Sequence, residues 1–361
     1  MKTVYNFNAG PAALPTYALE RAQEEMLNYK ESGMSVMELS HRSSTYEAVH
    51  NHAKAQLRTL MAVPDDYEIL FLQGGASLQF AMLPLNFLSE EKTASYILTG
   101  SWSEKALKEA KLIGSTHVAA SGKEKNYTRI PSTSELTFAA NEAYVHLTSN
   151  NTIFGTQWKE FPDTSSPLIA DMSSDILSRK VNVRQFAMIY AGAQKNLGPS
   201  GLTVSIIRHD LLEQTRSNVP SILSYNTHSE SNSLYNTPPT FAIYMLGHVL
   251  DWMASVGGMD EIERRNEEKA ALIYKAMDES SGFYHGHARP DSRSRMNITF
   301  TLPTKELTEM FLHEASEAGF VGLNGHRSVG GCRASAYNAV PYEACAALQA
   351  FMTDFRKRNS N

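Results

Sequence analysis

Lys195 is the only charged residue between Arg184 and Arg208. It sits in Ala191-Gly-Ala-Gln-Lys195-Asn-Leu-Gly-Pro-Ser-Gly201, between the apolar runs Phe186–Tyr190 and Leu202–Ile207. Lysines are ordinarily solvated, so a surface lysine at a strand end is the plain alternative. The surroundings favour another reading. Ala191, Gly192 and Ala193 leave room for something bulky beside the backbone, and Gly198, Pro199 and Gly201 shape the exit turn. A poorly solvated ammonium gives up its proton more readily, which makes the amine a nucleophile for Schiff-base chemistry with a carbonyl.

Asp171 ends a second apolar run, Pro167-Leu-Ile-Ala-Asp171. A carboxylate there serves as a helix cap, a metal ligand or the partner of a cation, and strand tips are where open α/β sheets place their sites. Together, Lys195 and Asp171 match what pyridoxal 5'-phosphate requires: an amine for its aldehyde, and an anion that keeps its pyridine nitrogen protonated. The turn Gln73-Gly-Gly-Ala-Ser-Leu78 leads a strand into a helix and offers backbone N–H groups and the Ser77 hydroxyl to an anion. It lacks the Gly-Lys-Ser/Thr ending of a Walker P-loop. Trp102, in Thr99-Gly-Ser-Trp-Ser103, falls at the rim, where an indole can stack on an aromatic ring; burial in the core is the commoner fate of tryptophan. Thr152, in Thr148-Ser-Asn-Asn-Thr-Ile-Phe-Gly155, offers a hydroxyl to the phenolic oxygen of such a ring.

Arg42, Arg327 and Arg333 lie in Ser40-His-Arg-Ser-Ser44, Gly325-His-Arg-Ser-Val329 and Gly331-Cys-Arg-Ala-Ser335. Each alone reads as solvated loop charge. Together, with His41 and His326 beside two of them, they point to recognition of a dianion, because a guanidinium binds carboxylate or phosphate bidentately. Metal binding is not expected. His50 and His52 face different sides of a predicted helix, and His285 and His287 have no third ligand nearby.

Such groups need a scaffold that gathers strand ends. Apolar runs at Tyr67–Leu72, Ala94–Leu98, Thr116–Ala120, Ala143–Thr148, Pro167–Asp171, Phe186–Tyr190 and Leu202–Ile207 alternate with helical patterns. Several are apolar on both faces, as parallel strands between helix layers are, and the alternation argues for an open α/β sheet. Helices are predicted at Tyr17–Lys30, Thr45–Met61 and Ser103–Ile113, and at Ser77–Leu83 with Pro84 as its kink or stop. Pro238 and Pro239 open a further helical region with Thr237 as its N-cap. Val256-Gly-Gly-Met259 interrupts it, which places an N-terminal arm over 1–16, a large domain over 17–256 and a small α+β domain over 257–361.

Bulk properties narrow the class. A chain of 361 residues exceeds what one core usually serves. A net charge of −5 leaves no basic field for nucleic acid. Cys332 and Cys345, the only two cysteines, form no disulfide framework and suit a reducing compartment. With neither a signal-peptide pattern nor a membrane-spanning run, the expectation is a soluble cytoplasmic protein that engages no membrane.

Over essentially its whole length the chain resembles the phosphoserine aminotransferases, a family of fold-type I pyridoxal-phosphate enzymes. The resemblance runs through YNFNAGPAALP, SHRS, QGGAS, TGSW, LTSNNTIFGTQW, ADMSSDILS, AGAQKNLGPSG, YNTPPTF and NGHRSVGGCRASAYNA. It implies a large domain with a mostly parallel seven-stranded sheet and a smaller α+β C-terminal domain. It implies that Lys195 holds the cofactor aldehyde, Asp171 pairs with the pyridinium, Trp102 stacks on the ring and Thr152 faces the phenolic oxygen. Ala76, Ser77 and Gln194 would hold the phosphate. Asn236 and Thr237 would reach the phosphate of a neighbouring subunit, making a homodimer with shared sites. Arg333 would take the substrate α-carboxylate, and His41, Arg42, His326 and Arg327 the distal phosphate or the glutamate side chain.

The implied reaction moves the amino group of L-glutamate to 3-phosphohydroxypyruvate, giving O-phospho-L-serine and 2-oxoglutarate for serine biosynthesis. Some members also act on 4-phosphohydroxythreonine precursors in pyridoxine biosynthesis. The family varies at the phosphate loop and can carry a Gly-Arg pair where Ala76-Ser77 stands, so neutralisation of the cofactor phosphate rests more on backbone dipoles here. A serine–glyoxylate aminotransferase or a cysteine desulfurase of the same fold is the nearest rival. The second needs a mobile cysteine, whereas Cys332 falls in a predicted strand and Cys345 on a helix. A non-enzymatic anion-binding protein would leave Lys195 and Asp171 without a role.

Overall fold

Alternating apolar side chains build the central sheet, and both of its faces are dry. In β1 (Tyr67–Leu72), Ile69 and Phe71 enter one core while Leu70 and Leu72 enter the other. The computed structural model describes residues 3–360. Six more strands join β1: β2 (Thr93–Leu98), β3 (Ser115–Ser121), β4 (Glu142–Thr148), β5 (Leu168–Asp171), β6 (Met188–Gly192) and β7 (Thr203–Arg208). Their spatial order is β1-β7-β6-β5-β4-β2-β3. Strand β7 runs antiparallel to β1 and β6, and the other pairings are parallel.

Helices Thr16–Glu25, Ser44–Leu60 and Thr240–Ser255 pack on one face, and Gly75–Phe87 and Ser101–Ala110 on the other. Parallel strands need such crossovers. Because of them, the segments after β1, β2, β4, β5 and β6 all emerge at one edge of the sheet. A third core gathers strands Asn297–Thr301 and Cys332–Ser335 with helices Lys305–Glu317 and Tyr342–Asn359. Helix Gly258–Asp278 serves two cores: Met259 and Ile262 pack in the first, Ala270 and Ile273 in the third. The segment expected to be an irregular arm is anchored there. Tyr5–Asn6 pairs in parallel with Phe320–Val321, and Phe7 is fully buried.

Several boundaries differ from those predicted. The helix after β1 begins at Gly75, where Gly74 (φ 85) makes a turn whose added Cβ would lie 2.5 Å from Leu78. It continues through Pro84 to Phe87: the proline has no N–H to give the Phe80 carbonyl, but its own carbonyl still accepts from Leu88 N at 3.1 Å. The first helix stops at Glu25, and Lys30 and Glu31 then take left-handed backbone angles in a separate turn. Thr237 does not cap the later helix, which starts at Thr240 with Pro239 in the cap position. A residue before proline is driven to an extended conformation, so Thr237 and Pro238 both stay outside the helix.

Candidate active site

Asp171 closes β5, and Lys195 lies three residues past the end of the neighbouring β6. Both line one cavity of about 330 Å³ at the carboxyl edge of the sheet. Asp171 is 4% exposed. Its Oδ1 accepts from Ser173 N at 2.9 Å and Ser173 Oγ at 2.5 Å, and among the described residues Oδ2 receives no donor. Burial raises the Asp171 pKa, against the lowering effect of the Ser173 bonds and Lys195. Burial likewise lowers the Lys195 pKa; Asp171 pulls it up and Arg333 pushes it down. The two groups act on each other through space, without a hydrogen bond between them.

The walls are linked side chain to side chain. Trp102 Nε1 donates to Thr152 Oγ1 at 3.1 Å, and Arg333 Nη1 donates to Thr152 O at 2.9 Å. Thr152 therefore keeps its own hydroxyl proton for another acceptor. The Lys195 ammonium lies 5.9 Å from the Trp102 ring centre. Arg333 has a buried Nε with no partner, and among the described residues no carboxylate offsets its charge. Burial lowers the His326 pKa, and Arg333, Arg327 and Lys105 lower it further, so the mouth is a concentration of positive charge. Ala76 and Ser77 line the same cavity in the first turn of helix Gly75–Phe87, where free N–H groups and the helix dipole favour an anion.

The cavity thus brings together Ala76, Ser77, Trp102, Thr152, Asp171, Gln194, Lys195, His326 and Arg333. It does not include His41, Arg42 or Arg327, nor Asn236 and Thr237, which the resemblance assigned to the phosphate of a neighbouring subunit. Asn236 lines a separate cavity with Gln73 and Ser233, and the Thr237 carbonyl accepts from exposed Gln73 at 2.9 Å. His41 and Arg42 lie in the loop before helix Ser44–Leu60, and Arg327 is exposed outside the cavity lining. A larger cleft of about 580 Å³ between Tyr17, Trp252 and Tyr342 has its Arg264 and Arg265 paired with Glu261.

Three site features went unread in the sequence. Ser173 holds Asp171 and also accepts from Gly192 N at 3.1 Å, which joins the β5 and β6 tips; a serine two residues after aspartate is an Asx-turn signal. Gly10, from the N-terminal segment, has φ 145, and an added Cβ would stand 3.6 Å from Lys195 Cγ. Asp175 is a second buried carboxylate, held by Ser149 Oγ and by Gln157 Nε2 at 3.0 Å. No group of histidine, cysteine and carboxylate side chains among the described residues is arranged to hold a metal.

Comparison with known proteins gives the family. The family model for Aminotransferase class-V matches residues 4–348. The chain belongs to the class-V aminotransferases. It is 66% identical over 358 residues to the phosphoserine aminotransferase of Geobacillus kaustophilus, covering 99% of both chains. It superposes on the phosphoserine aminotransferase of Bacillus circulans subsp. alkalophilus with a TM-score of 0.98, at 57% identity and 99% coverage of each chain. The PLP-bound phosphoserine aminotransferase of Trichomonas vaginalis matches with a TM-score of 0.93 at 40% identity, over 97% of this chain and 99% of that one.

The charges around Lys195 make a signed prediction. Removing the Asp171 charge should lower the amine's pKa further, and removing Arg333 should raise it. In cofactor-free protein, the pH midpoint for labelling Lys195 with a small amine-selective reagent should therefore move down in Asp171→Asn and up in Arg333→Gln. Shifts of the opposite sign would exclude this arrangement of charges.

Proposed function

We propose that this chain is a pyridoxal-phosphate-dependent aminotransferase that moves the amino group of L-glutamate to 3-phosphohydroxypyruvate. One observation carries the reading. A desolvated amine and a buried carboxylate face a single cavity without bonding each other, beneath a mouth rich in cations.

The residues fit the cofactor. Lys195 Nζ would hold its aldehyde carbon, and the free Oδ2 of Asp171 its protonated ring nitrogen. Trp102 would cover the ring, and Thr152 would donate its spare proton to the phenolic oxygen. Ala76, Ser77 and Gln194 would hold the phosphate, mainly through N–H groups at the helix start. When bound, pyridoxal phosphate supplies a sink for the electron pair left as the substrate's α-proton departs.

The chain's own groups do the rest. The lowered pKa of Lys195 keeps more of its amine neutral, so Nζ can take the α-proton and later return one. Arg333 holds the α-carboxylate with the nitrogens not spent on Thr152 O. His326 and Arg327 meet the distal group. A phosphate dianion there would draw His326 back toward its charged form, while a carboxylate needs less, so one mouth serves both substrates.

In this reading the enzyme is a homodimer in which a neighbouring subunit supplies Asn236, Thr237, His41 and Arg42, all of which lie outside this cavity's lining within one chain. The small-domain boundary near Gly257 belongs to the same reading, with Arg333 carried by the C-terminal unit. Cytoplasmic residence is supported by two buried free thiols, and among the described residues no helix is long and apolar enough to cross a membrane.

Arg327→Ala should cut kcat/KM for the phosphorylated keto acid by about 10- to 100-fold, the worth of a charged hydrogen bond. An unphosphorylated analogue should lose far less, and equal losses on both would remove Arg327 from the distal subsite. For the shared site, inactive Lys195→Ala and Asn236→Ala chains, unfolded together and refolded as a mixture, should regain activity that neither has alone. Mixtures no more active than the separate variants would contradict subunit sharing.

A further inference from the structure

Three consecutive backbone carbonyls in the turn after Asp171 are each taken by a different asparagine. Asn196 Nδ2 donates to Ile176 O at 3.0 Å, Asn338 Nδ2 to Leu177 O at 2.8 Å and Asn266 Nδ2 to Ser178 O at 2.9 Å. The donors come from three segments. Asn196 follows Lys195, Asn338 lies shortly after Arg333, and Asn266 is on helix Gly258–Asp278. They also bond each other: Asn338 N donates to Asn196 Oδ1 at 3.1 Å, and Asn266 Nδ2 to Asn338 Oδ1 at 2.8 Å. All three are buried. Lys269, 1% exposed, adds a further tie by donating to the carbonyls of Tyr337, Asn338 and Val340 at 2.7, 3.4 and 3.0 Å.

The clamped turn is one that would not hold its shape unaided. Leu177 is buried with a left-handed backbone (φ 56), which a leucine side chain disfavours. Such a conformation persists when its surroundings over-determine it. Here every successive carbonyl is fixed by an amide from a different part of the chain. None of the three asparagines lines the cavity, so any effect on chemistry passes through the groups they hold.

We propose that Asn196, Asn266 and Asn338 are positioning residues that lock the Asp171 turn to the Lys195 loop and to the Arg333 segment, and so set the separation of carboxylate and amine. The proposal rests on the roles given above to Lys195 and Asp171. Loosening the clamp lets the turn relax and water enter. With the cofactor bound, its ring still keeps Lys195 and Asp171 apart, and the added water better solvates the protonated form of the Lys195 nitrogen, which raises the pKa that the cofactor band reports.

The test uses the full chain loaded with pyridoxal phosphate, with Asn266→Ala and Asn338→Ala as variants. The readouts are the pH midpoint of the visible cofactor band, the Kd for pyridoxal phosphate, and kcat and KM for glutamate. Asn266→Ala, remote from the cavity, should move the midpoint by about half a pH unit or more and weaken cofactor binding about tenfold. The double variant should be no worse than the poorer single one, because the three amides act as a unit. If an alanine variant does not fold, Asn266→Ser leaves a smaller void and carries the same readouts. Folded variants that titrate at the wild-type midpoint overturn the proposal, even with a lowered Tm. A wild-type protein that develops no visible band overturns instead the reading of Lys195 on which the proposal stands.

Discussion

An ammonium and a carboxylate in a poorly solvated cavity attract strongly, and this protein must keep them from meeting. At an effective dielectric constant near 20, opposite unit charges at 4 Å gain about 4 kcal/mol. Closing that gap would fill the space where a ring has to sit. The separation is set by backbone. Asp171 is the last residue of β5, paired in register with Tyr190 of β6, while Lys195 lies beyond the β6 tip. Ser173 then occupies Asp171 Oδ1 and the Gly192 N–H together, so the two strand tips cannot slide independently. The sheet, its crossovers and the turn after Asp171 can all be understood as means of holding this gap open.

The cations at the mouth have a complementary logic. Burial lowers the pKa of Arg333, and burial together with the charges of Arg333, Arg327 and Lys105 lowers that of His326, which favours its neutral form until an anion binds in the mouth. Leaving positive charge uncompensated in a folded protein is costly, and the usual remedy is a nearby carboxylate. Among the described residues Arg333 has none, whereas the larger cleft near Trp252 has its arginines matched with glutamates. A mouth kept positive is one that an anionic substrate neutralises, and here the substrates on both sides of the reaction are anions.

Much of this was legible in the sequence, for identifiable reasons. An isolated charge at the end of an apolar run is improbable unless it has work to do, and that singled out Lys195 and Asp171. The Gly-Gly turn at Gly74 was readable because only particular backbone angles start a helix so abruptly after a strand. The asparagine clamp was not readable. Asn196, Asn266 and Asn338 are far apart in the chain, and amides in loops and on helices carry no periodic signal. Thr237 was misread because a threonine before a proline pair looks like a cap, while the proline geometry shifts the helix start to Thr240. The placement of His41 and Arg42 away from the cavity had no signature in the residues themselves, whereas for Asn236 and Thr237 the family resemblance implied the phosphate of a neighbouring subunit rather than this chain's own cavity.

Borohydride reduction of the protein after incubation with pyridoxal phosphate, followed by peptide mapping, interrogates the buried amine most directly. Reduction converts a lysine–aldehyde adduct into a stable secondary amine that marks its residue. The account predicts one pyridoxyl group per chain, on the peptide that contains Lys195, and none in Lys195→Ala. Stoichiometric labelling elsewhere, for example at Lys105, whose Nζ lies 4.2 Å from the Trp102 ring centre, or no label at all, would contradict it.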